Sequence, residues 1–156
     1  MNLILEQNDQ IPWLTNMRLV LAALGISASD YDWCVSDVET NYFVDDLRNE
    51  DQWMEGRALQ EFLERKEIQF IWAVFSAVPK GYRCNAPLPY ADGNAEYWSG
   101  REIRPQLEGA LFVITCWDSS ATILVGLPAE LESNFRRAYP DARSLASVGH
   151  MKTEHR

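Results

Sequence analysis

Histidine is all but missing from this sequence: its two copies, His150 and His155, fall in the last seven residues. The body of the chain thus lacks the side chain that most readily moves protons near neutral pH. Ser-His-Asp and Cys-His catalytic arrangements are excluded in their ordinary forms. Zinc sites built from imidazole go with them, and three cysteines cannot make a Cys₄ site. Those cysteines, Cys34, Cys84 and Cys116, are odd in number and widely spaced, with no CxxC. Two of them lie in apolar runs, where a thiol behaves as a small hydrophobe. A reduced, cytosolic setting fits this usage better than a disulfide framework. Glycine-rich phosphate loops of the GxGxxG and GxxxxGK[ST] kinds are absent, as is the GxSxG elbow. No cofactor or metal is therefore expected. No apolar run approaches the ~18 residues that would span a bilayer. Met1 to Asp9 lacks the basic and apolar succession of a secretory signal.

Positive charge is scarce as well. Fourteen Lys and Arg stand against 23 Asp and Glu, a net charge of −9. General nucleic-acid binding needs a basic surface that displaces counterions from phosphate, and an anionic membrane repels such a protein for the same reason. The acids are also concentrated. Between Asp30 and Glu55 there are nine (Asp30, Asp32, Asp37, Glu39, Asp45, Asp46, Glu50, Asp51 and Glu55) against one base, Arg48. That stretch accounts for −8 of the −9. A focused negative field suits a basic partner or a cation, although acids on a solvated face also serve solubility alone. Read as a partner surface, the stretch offers Asp37, Glu39, Asp45, Asp46, Glu50 and Asp51 as charge, with Trp53 as an aromatic anchor at its far end. The competing reading puts Trp53 in the core. Asp37 with Glu39, or Asp45 with Asp46, could instead hold Mg²⁺ or act as an acid–base pair, which keeps a small carboxylate-dependent enzyme as an alternative.

What the chain has in quantity is apolar and aromatic material: 47% hydrophobic residues and 18 aromatics within 156 residues. That is enough for one core without disulfides or metals. Leu14, Met17, Val20, Leu21 and Leu24 recur at helical spacing and predict a helix over 12–24, opened by Pro12 and stopped by Gly25. Tyr31 to Ser36 alternates as a strand, and the acidic stretch 37–51 reads as a loop. Residues 51–66 read as a second helix with Met54, Ala58, Leu59, Phe62 and Leu63 inward, weakened by Gly56. Ile68 to Val78 is apolar on both faces, as a doubly covered central strand is, with Trp72 and Phe75 in the core. From Pro79 to Glu108 the period is lost, and short strands are expected near 94–98 and 101–104. Ala110–Trp117 and Thr122–Leu127 form a hairpin around Asp118-Ser119-Ser120-Ala121. Pro128 opens a last helix that Pro140 stops. Helices that do not strictly alternate with strands predict an α+β domain over 1–148, a mixed or antiparallel sheet covered by about three helices. Residues 149–156 read as a polar tail beginning with Gly-His-Met, a sequence common at cloning junctions.

Three pieces of the chain are similar to small bacterial immunity proteins of polymorphic-toxin and contact-dependent inhibition systems. They are Tyr31-Asp32-Trp33-Cys34-Val35-Ser36-Asp37, the strand Gln69-Phe70-Ile71-Trp72-Ala73-Val74-Phe75-Ser76, and Cys116-Trp117-Asp118-Ser119-Ser120 with the final helix ending at Tyr139-Pro140-Asp141. Together they span roughly a third of the sequence, and no binding residue is carried over from the family. The resemblance implies a non-enzymatic, cytoplasmic binder that neutralises a cognate toxin domain with a basic surface. A regulatory or adaptor module with another protein partner is the alternative that the residues leave open.

Overall fold

The computed structural model describes residues 1–6, 16–40 and 52–154, with side chains to Gly149. The fold is α+β. A seven-stranded antiparallel sheet runs in the order β3-β2-β4-β5-β6-β1-β7. Its strands are β1 (Leu3–Glu6), β2 (Asp32–Thr40), β3 (Gln52–Met54), β4 (Phe70–Val78), β5 (Phe112–Trp117), β6 (Ala121–Val125) and β7 (Arg143–Ser144). The helices are α1 (Met17–Leu24), α2 (Gly56–Arg65), α3 (Ala129–Ala138) and α4 (Leu145–Glu154).

Both sheet faces are covered, which explains why β4 reads as apolar on each side. On the first face, α1, α2 and α3 bury Met17, Leu21, Leu24, Leu59, Phe62, Leu131 and Phe135 against Trp33, Val35, Phe75, Phe112, Ile114 and Leu124. The second face carries Ile4, Val74, Val113, Ile123 and Val125 under α4 and the long segment after β4. Cys34, Val78 and Leu107 continue that layer toward β3.

The structure redraws several expected elements. α1 begins at Met17, because Asn16 is its cap: the backbone there is extended and the side chain accepts from the Arg18 N–H at 3.0 Å. The expected start at Pro12 lies outside the described residues. The expected helix over 51–66 is a strand and a shorter helix. Gln52, Trp53 and Met54 pair with Val35, Cys34 and Trp33, and this pairing overrides their helical spacing. α2 then starts at Gly56, where a Cβ would collide with the Tyr31 carbonyl. The acidic stretch is not loop from residue 37 onward, since β2 continues to Thr40. It does so through a register shift between Ser36 and Glu39, with Asp37 at φ 52°.

No strand forms between Val78 and Phe112 among the described residues; Ala95–Trp98 is one 3-10 turn instead of the short strands expected there. Its backbone groups are met by side chains: Asn94 caps it at Glu96 N (3.1 Å) and donates to Tyr90 O (3.0 Å). Tyr97 pins the segment to β5 through Thr115 Oγ1 at 2.9 Å. The sequence reading placed neither β1, β7 nor α4. α4 continues into the stretch read as a polar tail, as far as Glu154, and Gly149 packs so closely on Gly100 and the Trp98 carbonyl that a Cβ would not fit.

Candidate partner-binding surface

Registers across the sheet bring one row of side chains together at a single end. Glu39 on β2 lies opposite Trp72 on β4; Ala73 pairs with Cys116, which sets Trp72 beside Trp117 on β5. Trp117 pairs with Ala121 on β6, and Ala121 with Glu6 on β1. Directly opposed residues share a face, so Glu39, Trp72, Trp117, Ala121 and Glu6 form a continuous row on the second face. The two indoles meet edge to face, their centroids 4.8 Å apart, and Trp98 and Tyr97 stand against Trp117 at 5.0 and 5.4 Å.

The row is held firmly. The turn after Trp117 has Asp118 and Ser119 both at positive φ (46° and 56°), the pattern of a type I′ turn, closed by Ser120 N–H donating to Trp117 O at 2.9 Å. Ser119 N–H donates to Ile71 O at 3.0 Å and ties the turn to β4. Tyr97 lies behind, its hydroxyl bonded to Thr115 and accepting from Gln106 Nε2 at 3.3 Å; burial holds its phenol above the usual range. Trp72, Trp98 and Trp117 remain only half-buried. Trp72 thus falls short of the full burial expected of it: it packs against the second-face core near the start of β4, while Phe75, three residues on, is fully buried.

Of the acids proposed from sequence, Asp37 and Glu39 come to this end of the sheet. Asp37 is half-buried at the bulge and accepts from the N–H groups of Ala91 (2.8 Å) and Asp92 (2.9 Å), so its charge also fastens the long segment. Glu39 is exposed, and no partner holds its carboxylate among the described residues. Asp45, Asp46, Glu50 and Asp51 lie outside the described residues. In sequence they fall between Thr40, the last residue of β2 and next to Glu39, and Gln52, the first residue of β3. Asp118, exposed next to Trp117, adds a carboxylate that sequence reasoning assigned only to a turn. Neither the tryptophan row nor Asp118 was singled out, since cross-strand register decides what adjoins what and the sequence does not print it.

Trp53 is on the same sheet face, farther along at the β3 edge, and is half-buried against Cys34 and Val78. The Arg83 guanidinium lies 5.4 Å from its ring centroid, with Tyr82 tilted against it at 6.4 Å. Arg83 Nη1 is also 3.0 Å from the carboxylate of Asp32, whose side chain is only 8% exposed. Asp32 accepts further from Gly56 N–H (3.0 Å) and Gly81 N–H (2.9 Å). Burial pulls its pKa upward most strongly, but these two backbone donors and Arg83 together outweigh it and leave the carboxyl below its usual range.

Cys34 and Cys116 are buried, and burial pushes the Cys116 thiol far up, while Cys84 is half-buried. No three His, Cys, Asp or Glu side chains cluster as metal ligands would among the described residues. No helix among them is long and apolar enough to cross a membrane. Comparison with protein-family models, with curated proteins and with solved structures finds nothing that matches this chain.

Proposed function

We propose that this chain is a non-enzymatic binding protein of the bacterial cytoplasm, an immunity-type protein that neutralises a toxin domain by occupying a basic surface on it. The observation that carries this reading is the row Glu39–Trp72–Trp117. Half-buried tryptophans at one end of the sheet stand beside Glu39, within the chain's most acidic stretch. Aromatic side chains ringed by polar groups are where binding energy gathers, and a concentrated negative field accelerates encounter with a basic cleft. Asp37, Glu39, Asp45, Asp46, Glu50 and Asp51 supply the field. Trp53, half-buried with the Arg83 guanidinium over its ring, lies on the same face.

The test is co-purification from the native organism, identification of the retained protein, and assay of its activity with and without this chain. The expected result is one partner with a basic surface whose toxic activity disappears at equimolar ratio. A partner without toxic activity would favour the adaptor reading. Turnover by the chain itself, dependent on Mg²⁺ and abolished by Asp37→Asn or Glu39→Gln, would favour the enzyme.

A further inference from the structure

We infer that the Glu39–Trp72–Trp117 row receives an arginine side chain from an extended segment of the protein partner. The inference rests on the binding reading above and specifies what the partner presents. The molecule contains a complete version of the arrangement on the same sheet face. There the Arg83 guanidinium lies over the Trp53 ring at 5.4 Å, with its Nη1 3.0 Å from the Asp32 carboxylate. A guanidinium thus lies over an indole while a carboxylate accepts from one of its nitrogens. Glu39 and Trp72 repeat two of these three parts. They are directly opposite across β2 and β4, close enough for their side chains to act on one ligand group. No arginine or lysine completes that pair among the described residues.

Three further features specify the missing group. Asp37 lies two residues before Glu39 and the exposed Asp118 directly follows Trp117, so the residues next to the row add negative charge and none of them adds positive charge. The indole N–H groups of Trp72 and Trp117 have no acceptor among the described residues. Neither is a buried donor, since Ser76 Oγ is the one buried side-chain N or O without a partner among the described residues, so both can be reached from outside, and the main-chain carbonyls flanking an arginine in an extended peptide would serve as acceptors. A free amine or a metal ion would use the charge but leave both donors unused. A neutral sugar would use the rings and donors but not the charge. An arginine guanidinium also suits Glu39 better than a lysine ammonium does, because its fork of donors fits a carboxylate while its plane lies on the ring.

The experiment uses the whole chain with ¹⁵N-labelled indoles. A capped Gly-Arg-Gly-Arg-Gly peptide is the probe, its lysine and citrulline counterparts are controls, and the two indole signals are assigned with Trp72→Leu and Trp117→Leu. The Trp72 and Trp117 N–H signals should shift with the arginine peptide, and the lysine peptide should bind at least about threefold more weakly. The citrulline peptide, isosteric and uncharged, should bind about tenfold more weakly or not at all. Glu39→Gln changes an exposed side chain and should leave melting unchanged while weakening arginine-peptide binding about threefold to tenfold. Unmoved indole signals would overturn the inference, as would equal binding of the citrulline peptide, full binding by Glu39→Gln, or a larger response to a neutral oligosaccharide. The function reading fails separately, when charge reversal in the acidic stretch leaves partner association untouched. If that reversal slows association while the arginine peptide fails, only the present inference falls.

Discussion

Gly56 opens α2 at a position where a helix would gain propensity from almost any other residue. Its reason is contact: a Cβ there would run into the carbonyls of Tyr31 and Ala28. Gly56→Ala should therefore destabilise the fold by about 2–3 kcal/mol, against the roughly 1 kcal/mol gain that propensity alone predicts, and urea unfolding will read the sign. Asp32 works at the same junction, joining α2, the turn at Gly81 and Arg83. Asp32→Ala strands buried donors and should cost about 3 kcal/mol. The pH dependence follows from its lowered pKa. A depressed carboxyl contributes stability that is fully present above its unfolded pKa of 3.8 and lost as pH falls through the lower folded value. Thermal melts between about pH 5 and about pH 2, the window that linkage implies, should show an acid-side decline that is shallower in Asp32→Asn. An equal decline in both proteins would remove Asp32 from the account.

Among the elements, β4 was the plainest in the sequence, for a physical reason: a strand covered on both faces leaves an unbroken apolar run. The β5–β6 hairpin and α3 were legible from turn residues, from Pro128 and from acids and bases at opposite helix ends. Elements fixed by distant partners were not. β1 is four residues long and gains its place between β6 and β7 only through pairing with chain more than a hundred positions away. β3 has a helical spacing that strand pairing overrides, and the segment after β4 is ordered by Asn94, Tyr97 and Asp37 instead of by any period. The candidate surface was half legible. Its acids stand out as a composition shift, whereas its tryptophans are scattered in sequence and adjoin only through register. Position within β4 also separates two residues that look alike in sequence. Phe75 is fully buried and meets Phe70 edge to face at 5.1 Å, while Trp72 is half-buried. Phe75→Ala should cost about 3–5 kcal/mol; Trp72→Ala should cost about 1–2 kcal/mol and act mainly on binding. Paired denaturation curves and partner titrations would check both, and equal losses of stability would place Trp72 in the core after all.

At the scale of the whole molecule, charge and shape are divided. One sheet face is covered by α1, α2 and α3, and the other by α4 and the long segment, while among the described residues Glu39 is exposed and Trp72 and Trp117 are half-buried. The stretch from Asp30 to Glu55, which runs through this end of the sheet, accounts for −8 of the net charge of −9. On this account the charge sets how fast the partner arrives and the tryptophans set how long it stays. The most direct test combines Asp45→Lys, Asp46→Lys and Asp51→Lys in one variant and measures association and dissociation rates with the partner at low and moderate salt. The account predicts an unchanged melting temperature, an association rate lower by about tenfold or more at low salt, and a flattened salt dependence. The dissociation rate should move far less. An association rate and salt slope equal to those of the parent, in a variant that remains folded, would contradict it.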